Sequence, residues 1–209
     1  TPAAPTAGSN SPVCVGATIN LTSNTVAGAT YSWTGPSAFS SALEDPSIAS
    51  ATLAMAGTYS LTVTVAGCAS SVATTTVVVN PIPATPTAGS NSPICVGATL
   101  NLTTPAVAGA TYSWTGPNSF SSALQNPTIA GATALATGTY SITVTVLGCT
   151  SAIGTVAVTV NTAPVSPTAS SNTPVCTGDS LLLSASTIVG ATYSWTGPNA
   201  FTSTLQNPF

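Results

Sequence analysis

The chain has 209 residues, three carboxylates (Glu44, Asp45 and Asp179) and no lysine, arginine or histidine. An average domain is about a quarter charged, so this inventory excludes a great deal. Neutralising the phosphates of a nucleic acid needs Lys or Arg, an anionic membrane surface calls for the same residues, and general acid–base catalysis usually needs His or a tuned carboxylate. No apolar run reaches the roughly 18–20 residues that span a bilayer as a helix. A chain that opens without an initiator Met or a signal peptide reads as mature or as a window on something longer.

The predicted elements are strands. "ATINLT" (17–22) alternates, with Ala17, Ile19 and Leu21 inward. "TYSW" (30–33) sets Tyr31 and Trp33 on one face. "TYSLTVTV" (58–65) places Tyr59, Leu61, Val63 and Val65 on one face and Thr58, Ser60, Thr62 and Thr64 on the other, the pattern of a half-buried antiparallel strand. The tight turn "AGC" (66–68) leads into a last strand, "SSVATTTVVV" (70–79). The whole set then recurs. "YSWTGP" starts at Tyr31, Tyr112 and Tyr193, at a constant step, and Pro5–Leu43 matches Pro86–Leu124 at 32 of 39 positions. The expected fold is therefore all-β: tandem Ig-like or PKD-like antiparallel sandwiches with an 81-residue repeat. The expected domains are modules at 1–83 and 84–164 and the N-terminal half of a third at 165–209. The proline-rich joints "NPIPATP" (80–86) and "NTAPVSP" (161–167) read as semi-rigid spacers. The third module is expected to be completed by further chain, or by a strand from a neighbouring subunit.

Each complete module holds two cysteines at one fixed interval, Cys14 with Cys68 and Cys95 with Cys149. One disulfide per module is the natural reading; it implies an oxidising compartment and contributes about 4 kcal/mol by loop closure. Cys176 is then unpaired. The rival reading is free thiols or metal ligands, and two cysteines without His or a CxxC spacing make a poor zinc site.

"YSWTGP" followed by "NPTI", "GTYSITVTV" and "GC" resembles the PKD-type and related Ig-like modules repeated in bacterial secreted and cell-surface proteins. In that likeness Trp33, Trp114 and Trp195 match the core tryptophan, and Tyr59 and Tyr140 match the G-T-Y strand. The acidic, glycine-rich turn that usually follows the tryptophan is replaced by "TGPSAF", "TGPNSF" and "TGPNAF", so no role of that turn carries over. The resemblance implies a spacer, adhesin or fibre component on a cell surface.

Candidate chemistry is sparse. Glu44–Asp45 become Gln125–Asn126 and Gln206–Asn207 in the later copies, and Asp179 replaces Ala17 and Ala98, so these charges read as solvated turns. Abundant Ser and Thr hydroxyls have no base to activate them, and no joint carries the carboxylates of a calcium site. No enzyme, cofactor or metal is expected. Three binding readings remain. The tryptophans are either core or sugar-stacking platforms, and core is favoured because each shares a strand face with a tyrosine. Asn20 and Asn101 lie in "NLT" sequons, with Leu182 in the third copy, and Ser180 lies in "DSL", which resembles a short bacterial O-glycosylation signal. The uncharged segments 72–79 and 154–160 suit self-association. The expected function is a non-enzymatic, extracellular bacterial rod or filament, with a carbohydrate-binding adhesin as the alternative. Trypsin is expected to leave the chain whole even when reduced and unfolded; any specific tryptic fragment on a gel contradicts the sequence.

Overall fold

A computed structural model describes residues 2–209 and forms two compact units, one running up to Val160 and one spanning Asn161–Phe209. The first unit is built around two hydrophobic cores. Ten strands surround the first core: β1 (Ala7–Ser9), β2 (Val13–Cys14), β3 (Ile19–Ser23), β4 (Ala29–Gly35), β5 (Phe39–Ser41), β6 (Ser47–Ile48), β7 (Gly57–Val65), β8 (Cys68–Ala69), β9 (Ala73–Val77) and β10 (Val79–Asn80). One antiparallel sheet runs β1-β3-β6. The facing sheet runs β5-β4-β7, with β8 and β9 both paired to the far side of β7. β2 lies parallel to β10, with Val13 opposite Val79 and Cys14 opposite Asn80.

The period-two pattern explains the layers. Along β7, Tyr59, Leu61 and Val63 are buried while Thr58, Ser60 and Thr62 turn away from the core. They pack with Trp33 of β4 and with Ile19 and Leu21 of the opposite sheet. Ala17 departs from the expected alternation: it is exposed, in a turn where its N–H donates to Cys14 O at 3.0 Å, so the inward face begins at Ile19. The last strand is also not continuous. It breaks at the exposed Val78, where β9 stops pairing with β7 and β10 turns to β2. The segment 72–79, expected to suit self-association, is met in part by the chain's own N-terminal segment, while Val72 and Val78 stay exposed. Ser9 Oγ lies 3.3 Å from Thr75 Oγ1, Ser11 Oγ accepts from Val78 N, and Val13 N donates to Val78 O, so the N-terminal segment engages the edge at Thr75 and Val78.

The second core repeats these pairings. Its strands are β11 (Gly89–Ser90), β12 (Ile94–Cys95), β13 (Leu100–Thr103), β14 (Thr111–Gly116), β15 (Phe120–Ser122), β16 (Thr128–Ile129), β17 (Gly138–Val146), β18 (Cys149–Thr150), β19 (Gly154–Val158) and β20 (Val160–Asn161). Trp114 faces Ile142 across β14 and β17 as Trp33 faces Leu61.

The glycine of "WTGP" is set by a close approach. A Cβ on Gly35 would sit 2.3 Å from Tyr59 Cδ1, and one on Gly116 would sit 2.4 Å from Tyr140 Cδ1. Neither ring can retreat. Tyr59 donates its hydroxyl to Met55 O at 2.9 Å and meets Phe39 edge-on at 5.5 Å; Tyr140 is held likewise by Ala136 O and Phe120. Gly35→Ala or Gly116→Ala is therefore expected to cost about 1–3 kcal/mol by overpacking. An unchanged urea midpoint in either variant contradicts this packing.

The second unit holds β21 (Ala169–Ser171) paired with β22 (Leu183–Ala185), and β23 (Trp195–Thr196) paired with β24 (Thr202–Ser203). Here the expectation of a core tryptophan needs correction. Trp195 is only half-buried, and Leu181 and Leu205 are exposed. Among the described residues of this unit no strand occupies the place that β7 takes beside Trp33.

Candidate functional site

Only one disulfide forms among the described cysteines, and it is not the one the spacing suggests. Cys14 bonds to Cys149, with an S–S distance of 2.04 Å and Cα atoms 5.6 Å apart, while Cys68, Cys95 and Cys176 are exposed free thiols. The expected pairs Cys14–Cys68 and Cys95–Cys149 fail for a reason of length. Cys14 sits beside β10, just past the Gly57 end of β7, and Cys68 follows the Val65 end. At about 3.3 Å per residue the intervening strand holds them roughly 26 Å apart, whereas a disulfide needs Cα atoms within about 7 Å. The two cysteines of one sequence copy thus lie at opposite ends of one sandwich.

The bond instead joins the two sandwiches of the first unit. Its donor half is the β17–β18 hairpin, in which Val146 pairs with Cys149 around Leu147 (φ 49°) and Gly148 (φ 81°). Two positive φ values in a two-residue loop are the signature of a type I′ turn, whose twist matches that of the strands. The acceptor half is the β2–β10 end of the first sandwich. Asn80 Nδ2 donates to Leu147 O at 3.2 Å, and Cys149 Sγ lies 3.8 Å from Asn80 O. Contact leaves Cys149 only 1% exposed and Asn80 buried.

Two of the three carboxylates, Glu44 and Asp45, accept hydrogen bonds that hold turns together. Asp45 Oδ1 accepts from Ser23 N at 2.8 Å, Asn126 Oδ1 from Thr104 N at 2.9 Å, and Asn207 Oδ1 from Ala185 N at 3.2 Å. An amide oxygen replaces a carboxylate oxygen without changing the bond, which is why the charge is dispensable. At the preceding position Gln125 and Gln206 donate to Thr104 O and Ala185 O. Glu44 carries a carboxyl in place of that amide and accepts from Thr25 Oγ1. Among the described residues no group of three or more His, Cys, Asp or Glu converges to hold a metal ion.

Trp33 and Trp114 are fully buried, and their indole N–H groups donate to Glu44 O and Gln125 O at 3.1 Å. Neither can offer a ring face to a sugar. Asn20 and Asn101 are exposed on the outward face of β3 and β13, and Ser180 is exposed in the second unit. Sequence reasoning missed the role of Asn80, whose amide donates to Leu147 O across the joint. Its one available signal was the "VN" that closes both complete copies, at Val79–Asn80 and Val160–Asn161.

No protein-family model matches the chain, and no curated protein sequence matches it. Solved structures do. A chain in the crystal structure of a mouse coronavirus receptor-binding domain complexed with its murine receptor matches at 13% identity and TM-score 0.50, covering 75% of this chain and 100% of its own. The fold is an immunoglobulin-like β-sandwich. Murine CEACAM1b matches at 13% identity and TM-score 0.47, over 76% of this chain and 100% of its own. A marsupial T cell receptor matches at 11% and 0.49, over 94% and 90%.

The immunoglobulin-like cores also set the response to pH. Burial pushes the phenols of Tyr59 and Tyr140 above their ordinary value. The unfolded chain ionises these groups near pH 10, at lower pH than the folded one, so above that point the unfolded state binds fewer protons and stability falls as pH rises. With no histidine in the chain, the melting temperature is expected to be flat from about pH 5.5 to 8 and to drop beyond about pH 10. A shift of many degrees between pH 6 and 8, or none by pH 11, contradicts this.

Proposed function

We propose that the chain is a non-enzymatic structural repeat of an extracellular surface protein, in which regularly repeated immunoglobulin-like sandwiches build a rod or filament. The observation that carries this reading is the Cys14–Cys149 bond. A disulfide between sandwiches, where one within each would suffice for stability, fixes the placement of one sandwich on the next, as a rod requires. The bond also supports an oxidising, extracellular setting. Outward sheet faces covered by cross-strand hydroxyl pairs, such as Ser32–Thr62 and Thr34–Ser60, support a chain that presents polar but uncharged surface along its length. The resemblance to bacterial PKD-type and Ig-like surface repeats agrees with it.

Sugar binding by stacked tryptophan draws no support from Trp33 or Trp114, which lie in the cores. Negative-stain electron microscopy of the full chain under oxidising conditions tests the proposal. Rods or filaments with a regular axial repeat are expected; dispersed compact particles at all concentrations overturn it.

A further inference from the structure

We infer that the second sandwich carries a binding pocket for a small uncharged ligand with an unbranched apolar chain about as long as a methionine side chain. The site lies within one sandwich, so it goes beyond the rod reading and stands independently of it.

A cavity of about 270 Å³ opens at the surface of the second sandwich beside Tyr140. The first sandwich shows what such a cavity accepts. Pro117, Phe120, Ile129, Ala132, Thr133 and Tyr140 line it, and they repeat Pro36, Phe39, Ile48, Ala51, Thr52 and Tyr59. The backbone repeats as well. Met55 ends a 3-10 turn (Leu53–Met55), with its N–H donating to Thr52 O at 3.0 Å and its carbonyl accepting from the Tyr59 hydroxyl at 2.9 Å. Ala136 ends the matching turn (Ala134–Ala136) with the same two bonds, at 2.9 and 3.0 Å. Three lining side chains differ. Ala136 stands in the place of Met55, Gly131 in that of Ser50 and Asn118 in that of Ser37.

These replacements open the site. Met55 packs against the first core, and Ala136 withdraws everything beyond Cβ. Gly131 keeps the turn of Ser50, at φ 59° against 55°, and a Cβ there would meet nothing within 4 Å. Ser37 Oγ donates to Ala54 O at 3.1 Å, tying its loop to the 3-10 turn, whereas Asn118 is exposed at the mouth. The walls do not follow the shortened side chain inward. Tyr140 is held by its bond to Ala136 O and by Phe120, which it meets edge-on at 5.4 Å. Surroundings relax only in part around a shortened side chain, so the cavity keeps the shape of the chain that Met55 supplies in the first sandwich.

The lining sets the chemistry of the ligand. No charged side chain faces the cavity, and the Tyr140 hydroxyl is already spent on Ala136 O. An ion would lose its hydration without gaining a partner, whereas an apolar chain gains by leaving water. The Asn118 amide and the Thr133 hydroxyl, both exposed, suit an amide or hydroxyl carried at the head of that chain. Pockets for drug-sized molecules run to about 300–1,000 Å³, so the ligand is smaller than these.

N-acetyl-L-methionine amide is the probe, and N-acetyl-L-alanine amide, which lacks the chain, is the control. The full chain, labelled with carbon-13 at its alanine methyls, is titrated with each and followed by NMR. The Ala132 and Ala136 methyls should shift and saturate at millimolar probe, and the control should bind at least about tenfold more weakly for want of the buried chain. The Ala51 methyl, which holds the place of Ala132 in the first sandwich, should stay still. Ala136→Met should leave the alanine spectrum of the first sandwich unchanged and abolish the response at Ala132, and a folded Met55→Ala should transfer that response to Ala51. No saturable shift, an equal shift at Ala51 in the unaltered chain, equal binding of probe and control, or a response at Ala132 that survives Ala136→Met overturns the site.

Discussion

Trp33→Ala is expected to lower the stability of the first sandwich by about 3–5 kcal/mol, the range for deleting a large buried aromatic. Trp33 has no exposed surface, lies opposite Leu61 on β7 and gives its indole proton to Glu44 O. Removing it empties the centre of the core and also orphans that carbonyl, so cavity and hydrogen-bond costs fall on one site. Trp114→Ala should behave alike in the second sandwich. Trp195→Ala should cost less, because its side chain is already partly exposed, although its N–H still donates to Leu205 O at 2.9 Å. Amide hydrogen exchange read on peptides from β3 and β7 separates the cases. Trp33→Ala should strip protection from both strands, and equal losses from Trp33→Ala and Trp195→Ala in their own units would sink the distinction.

How much of this was legible beforehand follows from how far each signal reaches along the chain. Alternation is a local property, so the buried face of β7 could be read from "TYSLTVTV" alone, and the identity of "YSWTGP" in three places showed that one solution is used repeatedly. The glycine of that motif was visible but its reason was not. Gly35 is constrained by Tyr59, a ring brought over it by a strand that begins only at Gly57. The third tryptophan was misjudged for a related cause, since its sequence neighbourhood matches that of Trp33 while its burial depends on a partner strand. The cysteines failed differently. Spacing in sequence favoured pairing within a copy, yet the decisive quantity is which end of a strand each cysteine occupies. That end could have been counted. Cys68 follows directly on the C-terminal end of the "TYSLTVTV" strand, so the whole length of β7 lies between it and anything at the other end.

Cys149→Ser is the second large effect expected. The Cys14–Cys149 bond spans 135 residues of sequence, and the chain-entropy estimate for a loop of that size is about 5 kcal/mol when both sandwiches unfold together. Serine fits the space and can donate to Asn80 O, which faces Cys149 Sγ, so the loss should come from the cross-link rather than from a cavity. The signature should be one of coupling. With the bond, the two sandwiches are expected to melt in a single calorimetric transition. Without it, each keeps its own core, Trp33 and its neighbours in one and Trp114 and its neighbours in the other. The transition should then fall in temperature and broaden or split. Cys68→Ser is the control, since that thiol is exposed and unbonded and an ordinary surface substitution changes stability by no more than about 0.5 kcal/mol. If Cys149→Ser and Cys68→Ser melt alike under oxidising conditions, or if peptide mapping recovers Cys14 bound to Cys68, the joint between the sandwiches is not the bond that holds this chain. The geometry argues against that outcome, because Cys14 and Cys68 could meet only if β7, whose Tyr59, Leu61 and Val63 hold the centre of the core, were broken.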